Sequence, residues 1–189
     1  MIETLNNWDT QIFYFINGHH CSVMDRVMWV LSQHWSWAVV IVAAFCLLTL
    51  RHEPRRWWVV VIGIALCFLL ADQTSNLIKN TVCRPRPCWA LKDVVMFHTS
   101  KGGQYGFVSA HAANAFAVAM FLVLRYWKRV KRQWPLLLLI LWALATSYSR
   151  AYLGKHYPGD LICGALLGII IALILWKVSC LYEKKLKKV

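Results

Sequence analysis

Two histidines in different surroundings are the residues of this sequence best suited to catalysis. Asp160 follows His156 by four positions, and Pro158 and Gly159 between them can fold the carboxylate back towards the imidazole ring. A carboxylate that accepts a hydrogen bond from Nδ1 fixes the tautomer and leaves Nε2 as an attacking atom. His111 has no carboxylate close in sequence and begins a predicted helix, so it is better suited to protonating a leaving oxygen.

Cations near these histidines indicate that the group attacked is a phosphate. Lys79 and Arg86 lie in one segment between apolar runs, and Arg150 lies shortly before the second histidine. A phosphomonoester carries about −1.5 to −2 charges near neutral pH, and guanidinium groups bind its oxygens through paired hydrogen bonds. Ser109 and the free N–H groups where the next helix begins, including that of Ala110, add neutral donors. The alternative for each cation alone is anchoring to lipid headgroups.

The order Lys-x6-Arg-Pro, Ser-x-His and Ser-Arg-x5-His-x3-Asp resembles the three signatures of the type 2 phosphatidic acid phosphatase superfamily of lipid phosphatases. The resemblance extends from about the second predicted span to the fifth. The matching residues are Lys79, Arg86, Pro87, Ser109, His111, Ser149, Arg150, His156 and Asp160. Three motifs in this order are highly specific, whereas a single Ser-x-His would not be.

The resemblance implies a mechanism that agrees with the chemical interpretation. His156 would be the nucleophile that takes the phosphoryl group, Asp160 would orient it, and His111 would be the general acid. Phosphate oxygens would be held by Lys79, Arg86, Ser109, Ala110 and Arg150. Members of this family need no metal or other cofactor, because the cations stabilise the transition-state charge. One motif departs from the family pattern, since Val108 and Ala110 stand where Pro and Gly are usual.

Three further residues are expected to support the phosphate site. Asp72 and Lys79 lie on one face of a predicted helix, so Asp72 is expected to pair with a cation of the pocket. A solvated position at the end of the span is the alternative. For Arg84, support of the site and contact with headgroups both remain open, and Ser149 adjoins Arg150 within the third motif.

The composition places these motifs in a membrane protein. Hydrophobic residues make up 59% of the 189 residues and charged residues only 15%, which is unlike an ordinary soluble domain. The net charge of +13 is distributed in short blocks between apolar runs, which argues against a nucleic-acid partner. No His/Cys pattern has zinc spacing, and a disulfide between Cys83 and Cys88 remains open.

We expect a single all-α domain over 1–189, a polytopic transmembrane bundle of about five spans. A bilayer core requires about 20 apolar helical residues. The predicted spans are 27–50, 57–78, 110–127, 134–148 and 161–180. Before them, 4–17 has the pattern of an interfacial amphipathic helix. The first residues show no basic segment followed by an apolar core and a cleavage site, so a removed signal peptide is not expected.

Basic residues predict the orientation of the bundle. They cluster between the first two spans, between the third and fourth, and in the tail 181–189. The positive-inside rule places these clusters in the cytoplasm, so the loop 79–106 and the segment 150–160 face the opposite side. The sequence therefore predicts an integral protein of the bacterial inner membrane whose active site faces the periplasm or exterior.

The expected function is metal-independent removal of the terminal phosphate of a lipid. Undecaprenyl pyrophosphate, lipid A phosphate and phosphatidylglycerol phosphate are the candidate substrates, and the sequence does not choose among them. The bilayer and this lipid are the expected partners, and the oligomeric state is open. The alternative is a noncatalytic headgroup binder or transporter, which would explain the cations but not the two histidines.

Overall fold

The computed structural model describes residues 2–186, and every regular element in that range is a helix. An isolated bridge between Pro85 and Tyr105 is the one β-type pairing there. Lys187 and Lys188 of the predicted tail lie outside the described residues. The α-helices are α1 (Ile2–Gly18), α2 (Ser22–Ser32), α3 (His34–Ala44), α4 (Trp57–Val82), α5 (Pro87–Ala90), α6 (Ala110–Tyr126), α7 (Trp134–Tyr152) and α8 (Pro158–Leu186). A π-helix (Phe45–Leu50) continues α3, and a 3-10 turn (Pro54–Arg56) precedes α4.

Helix α6 forms the centre of the bundle and packs against α4, α7 and α8. Its buried face is rich in alanine, and α8 presents two glycines to it. A Cβ atom on Gly168 would lie 2.2 Å from the carbonyl oxygen of Ala113, and one on Gly164 would lie 2.6 Å from that of Ser109. Small residues let helix backbones approach closely in membrane proteins. This contact sets the beginning of α6 directly against the beginning of α8.

The predicted first span is not a single helix. A break at Gln33, where the backbone is extended, separates α2 from α3, and the two segments meet at a bend of 69°. Hydroxyl groups compensate the break, since Ser32 Oγ donates to the carbonyl of Trp29 and Ser36 Oγ donates to that of Gln33. Serine side chains that hydrogen-bond to backbone carbonyls lacking an intrahelical partner favour the ending of a helix at such a position.

Two helical segments are long and apolar enough to cross a membrane, namely Pro54–Val82 and Pro158–Lys185. The bent pair Ser22–Ser32 with His34–Leu50 would make a third, and Ala110–Tyr126 is a shorter apolar helix. The protein is thus an all-helical membrane protein over its described range. The count of five spans stays a prediction.

A buried ion-pair cluster lies at the end of the bundle remote from the three motifs. Arg125 at the end of α6 pairs with Glu53, at 2.6 Å from Nη2 to Oε2, and also with Glu183 near the end of α8. Arg129 pairs with Glu53, and Arg56 Nη1 lies 3.3 Å from Glu183 Oε2. The cluster fixes α4, α6 and α8 relative to one another at this end.

Candidate active site

The second and third motifs meet where α6 and α8 begin. Ser109 is the N-cap of α6, and its Oγ accepts a hydrogen bond from the N–H of Ala112 at 3.4 Å. The N–H of Ser109 donates to the carbonyl of Asp160 at 3.0 Å. The Ser109 side chain is fully buried. The hydroxyl that the sequence predicts to hold a phosphate oxygen therefore caps the helix in this structure, because its oxygen accepts from the Ala112 N–H.

His156 lies in the short connection between α7 and α8 and is 2% exposed. Its Nδ1 is 3.4 Å from Asp160 Oδ2 and forms no hydrogen bond with any residue in the range 2–186. Asp160 Oδ2 instead accepts from the N–H of Tyr157 at 3.1 Å. The four-residue spacing thus places carboxylate and imidazole in contact without a formed hydrogen bond. Such bonds often tighten only when substrate binds.

Three cations lie close enough to the imidazole of His156 to influence its pKa. Burial lowers the pKa of His156 well below its ordinary value, and the charges of Arg150, Arg86 and Lys79 lower that pKa further. The ring is therefore neutral at neutral pH, which is the form that can attack phosphorus. Burial and Arg150 also lower the pKa of the neighbouring Lys155, to about 8.

Arg84 supports Asp160 and does not line the cavity. Its Nη1 donates to Asp160 Oδ1 at 2.8 Å, and its Nη2 donates to Asp9 Oδ2 at 2.7 Å. The guanidinium carbon lies 4.2 Å from the centre of the Tyr157 ring. Burial alone would lower the pKa of Arg84, but the carboxylates of Asp160 and Asp9 raise it above its ordinary value. Of the two roles left open by the sequence, the contacts favour support of the site.

Asp9 on α1 is a site residue that sequence reasoning missed. Its Oδ2 accepts from Arg84, and its Oδ1 accepts a hydrogen bond from the N–H of Gly159 at 2.7 Å. Farther along the same helix, the amide of Asn17 bonds the backbone of Val95 and Tyr152. The predicted amphipathic helix therefore also forms hydrogen bonds with the segment after α4, with the end of α7 and with the beginning of α8. The only signal in the sequence was a carboxylate interrupting an apolar face.

A cavity of about 620 Å³ opens between α3, α4 and the beginning of α6. Its walls include Lys79, Arg86, Ala110 and His111, all named from the sequence. Leu69 of α4 forms part of the wall and is 55% exposed. Arg150 and His156 are not part of the wall but lie buried nearby, and Arg150 Nε has no partner in the described structure.

His111 is held by aromatic neighbours that sequence reasoning assigned no role at the site. Its ring centre lies 5.2 Å from that of His34 and 5.3 Å from that of Trp37, both on α3. Both neighbours also line the cavity. The break at Gln33 makes His34 the first residue of α3 and so brings it to this position.

The segment from Gly102 to Gly106 covers Arg86. Arg86 Nε donates to the carbonyl of Tyr105 at 3.1 Å, and its backbone N–H donates to that of Gln104 at 2.9 Å. A Cβ atom on Gly106 would lie 2.9 Å from Arg86 Cγ and 3.1 Å from Asp160 Oδ2. Glycine is therefore required at this close approach.

Two predicted positions differ in detail. Lys79 was assigned to the loop 79–106, but α4 continues to Val82 and contains it. Asp72 makes no direct ion pair with Lys79. Asn76 connects the two residues, because its Nδ2 donates to Asp72 Oδ2 at 3.1 Å and its Oδ1 accepts from Lys79 Nζ at 3.5 Å.

Ser149 is the other residue that the sequence predicts to support the phosphate site. Its Oγ donates to the carbonyl of Thr146 at 2.7 Å, within α7.

The cysteines and potential metal ligands give no further site. Cys83 is exposed, Cys88 is buried, and both thiols are free. Their Sγ atoms face the carbonyls of Asn80 and Lys101 respectively. Within residues 2–186, no group of three or more His, Cys, Asp or Glu is arranged to hold a metal ion.

Comparison with known proteins supplies the family. The profile of the PAP2 superfamily matches residues 61–181. The lipid A 4'-phosphatase of Bacteroides thetaiotaomicron is 36% identical over 173 residues, which cover 89% of this chain and 75% of that protein. Undecaprenyl-diphosphatase BcrC of Bacillus subtilis is 26% identical over 173 residues, covering 89% and 83%. The crystal structure of a PAP2-type phosphatidylglycerolphosphate phosphatase from Bacillus subtilis superimposes with a TM-score of 0.71 at 18% identity, covering 96% and 87%, and so shares the fold.

Proposed function

Because this chain belongs to the PAP2 superfamily and is a membrane lipid phosphatase, we propose that it releases the terminal phosphate of a lipid through a phosphohistidine formed at His156. The observation that carries the mechanism is a buried imidazole in contact with a carboxylate, with the cations Lys79, Arg86 and Arg150 close enough to lower its pKa. A noncatalytic headgroup binder would need the cations only.

The phosphoryl group is bound first. Lys79 and Arg86 on the cavity wall attract its oxygens, and the N–H groups at the beginning of α6 donate to them. Arg150 lies behind the wall with its Nε unpartnered, so it is placed to complete the anion site once phosphate enters. Binding the anion there also satisfies a buried donor that is otherwise without a partner.

Chemistry then proceeds in two steps. Nε2 of His156 attacks phosphorus while His111 gives a proton to the leaving oxygen, which breaks the phosphorus–oxygen bond and forms the phosphohistidine. In the second step water attacks phosphorus, His111 takes its proton, and phosphate leaves His156. Asp160 stabilises the positive imidazole, and Arg84 holds Asp160 in place.

Among the candidate substrates we propose lipid A phosphate. The relative that is 36% identical is named a lipid A 4'-phosphatase, and the undecaprenyl-diphosphatase relative is 26% identical. The cavity supports this choice, because Asp72, Gln73 and Asn114 line it beyond the cations. Carboxylate and amide oxygens accept hydrogen bonds from sugar hydroxyls, whereas a carboxylate repels a second phosphate.

For the whole protein we propose one domain whose helices α3, α4, α6, α7 and α8 span the membrane. Most of the exposed basic residues lie at the end where α6 ends and α4 begins, and the positive-inside rule makes this end cytoplasmic. Helix α1 then lies at the outer interface beside the active site. The membrane is proposed to be the bacterial inner membrane, with the cavity facing the periplasm or exterior.

Phosphate release by the purified protein tests the proposal. Wild type is expected to release phosphate from lipid A faster than from undecaprenyl pyrophosphate or phosphatidylglycerol phosphate, and to do so in excess chelator. Transfer of labelled phosphate to the protein should give an acid-labile, base-stable adduct that His156→Ala abolishes. The control His98→Ala changes an exposed loop histidine and should leave the adduct intact. Normal turnover by His156→Ala would refute the phosphohistidine mechanism. Loss of wild-type turnover in excess chelator would refute its independence of metal.

A further inference from the structure

A second cavity, of about 660 Å³, lies at the end of the bundle opposite the candidate active site. We call it the basic pocket, because its polar wall consists of Arg51, His52, Arg129, Lys131 and Arg132. Arg129 is paired with Glu53. Arg51, Lys131 and Arg132 form no ion pair with any residue in the described range 2–186, and all three are exposed. The pocket therefore carries an excess of positive charge without a matching acid.

An apolar groove continues from the basic pocket between α3 and α7. Leu47, Leu48, Trp134 and Pro135 belong to both, and the groove then follows α3 back to Val39. On the α7 side it extends from Trp134 to Trp142, a length of about 12 Å at the rise of an α-helix. Its lining is aliphatic and aromatic, and the indole N–H groups of Trp134 and Trp142 are the only side-chain hydrogen-bonding groups among these residues.

Charge and polarity together specify the occupant. A free anion would occupy the basic pocket and leave the groove empty, and a neutral lipid would leave the cations unpaired. A molecule with an anionic head and an aliphatic chain matches both parts. Basic pockets at the ends of membrane helices attract anionic headgroups in this way.

We propose that the basic pocket and the groove together bind one anionic phospholipid of the leaflet opposite the active site. This lipid is a resident ligand and not a substrate, because it sits at the other end of α6 from His111. Its headgroup phosphate lies against Arg51, Lys131 and Arg132, and one acyl chain fills the groove. The inference does not depend on the reaction proposed above.

Binding of lipids to the full-length protein tests this site. The delipidated protein in mild detergent is titrated with phosphatidylglycerol, which has no terminal phosphomonoester, and with phosphatidylcholine, and bound lipids are counted by native mass spectrometry. One phosphatidylglycerol is expected to bind at least about tenfold more tightly than phosphatidylcholine. Each cation near an anionic group contributes roughly fivefold, so R51Q/K131Q/R132Q should weaken binding about a hundredfold.

Two controls separate this site from general attraction. K128Q/K184Q/K185Q removes the same charge from exposed positions at the same end that do not line the pocket, and should change the affinity less than about threefold. Ala43→Phe fills the exposed groove and should weaken binding of the lipid but not of soluble glycerol 3-phosphate. Equal weakening by the two triple variants, equal affinity for glycerol 3-phosphate and for the lipid, or equal affinity for the two phospholipids would overturn the proposal.

Discussion

Asp9 and Arg84, 75 positions apart in the chain, form an ion pair of 2.7 Å that connects helix α1 to the candidate active site. The other side of the Arg84 guanidinium donates to Asp160 at 2.8 Å. Asp9 also accepts from the N–H of Gly159. One carboxylate on α1 thus positions both the partner of Asp160 and the first turn of α8.

Replacing Asp9 by alanine is expected to lower kcat for phosphate release about tenfold to a hundredfold with a smaller change in KM. The reason is that a loosened Arg84 leaves Asp160 less well placed behind His156, while the cations of the cavity are untouched. Kinetics with the lipid substrate measure both constants. The matched control is Glu3→Gln, an exposed acid on the same helix, which should behave as wild type. An Asp9→Ala variant with normal kcat would show that α1 does not position the site.

Replacing His111 by glutamine should have an effect that depends on the leaving group. A general acid contributes about 10²–10⁴-fold, and it matters most when the leaving oxygen is a poor leaving group. We therefore expect such a loss with a lipid alkyl phosphate and a much smaller loss with an aryl phosphate. Steady-state phosphate release with the two substrates measures the difference. Equal losses on both would assign His111 to binding instead of proton transfer.

The lowered pKa of His156 predicts how activity depends on pH. Protonation removes the attacking lone pair, and because the pKa lies below its ordinary value, protonation occurs only at a correspondingly lower pH. The acid limb of kcat/KM is therefore expected well below about 6.5, the ordinary histidine value. Arg86→Gln removes a charge that lowers this pKa, so it should shift the limb upward. An acid limb that does not move in this variant would contradict the assignment.

Stability should follow the same titration. Between the ordinary value and the lowered one, His156 binds a proton in the unfolded state but not in the folded state. The contribution of the neutral His156 to the free energy of unfolding is thus fully present above about pH 6.5 and decreases as the pH falls. Thermal unfolding of wild type and of His156→Gln over this pH range measures the contribution as a difference. If the stability of the two proteins changed with pH in the same way, the predicted contribution of His156 would be refuted.

Adding one methyl group at Gly106 is expected to disrupt the site. The Cβ of Gly106→Ala would lie 2.9 Å from Arg86 Cγ, so the arginine or the segment 102–106 must move. A displacement of about 1 Å near reacting groups costs on the order of a hundredfold in rate. Gly103→Ala provides the control, because nothing lies within 4 Å of the added atom. Similar phosphate release by both variants would mean that the covering segment does not position Arg86.

The relative placement of some candidate site residues was predictable from the sequence, because the signals for it are local. Residue spacing predicted that Asp160 lies close to the His156 ring and that Ser109 stands at the beginning of a helix. The structure shows both placements, although the expected hydrogen bond from His156 Nδ1 to Asp160 is not formed. Asp9 was not predictable as a site residue, because its partners are 75 and 150 positions away and no periodicity reports such contacts. The break at Gln33 was also missed, since an apolar run of sufficient length predicts one continuous helix.

The exposed Leu69 in the cavity wall has a kinetic consequence. We expect the lipid substrate to enter the cavity from the bilayer between α3 and α4, so that it approaches by diffusion in two dimensions and does not pass through water. The relevant concentration is then the mole fraction of substrate in the surrounding bilayer or micelle. Diluting the substrate with inert amphiphile should slow turnover, whereas adding buffer at constant composition should not.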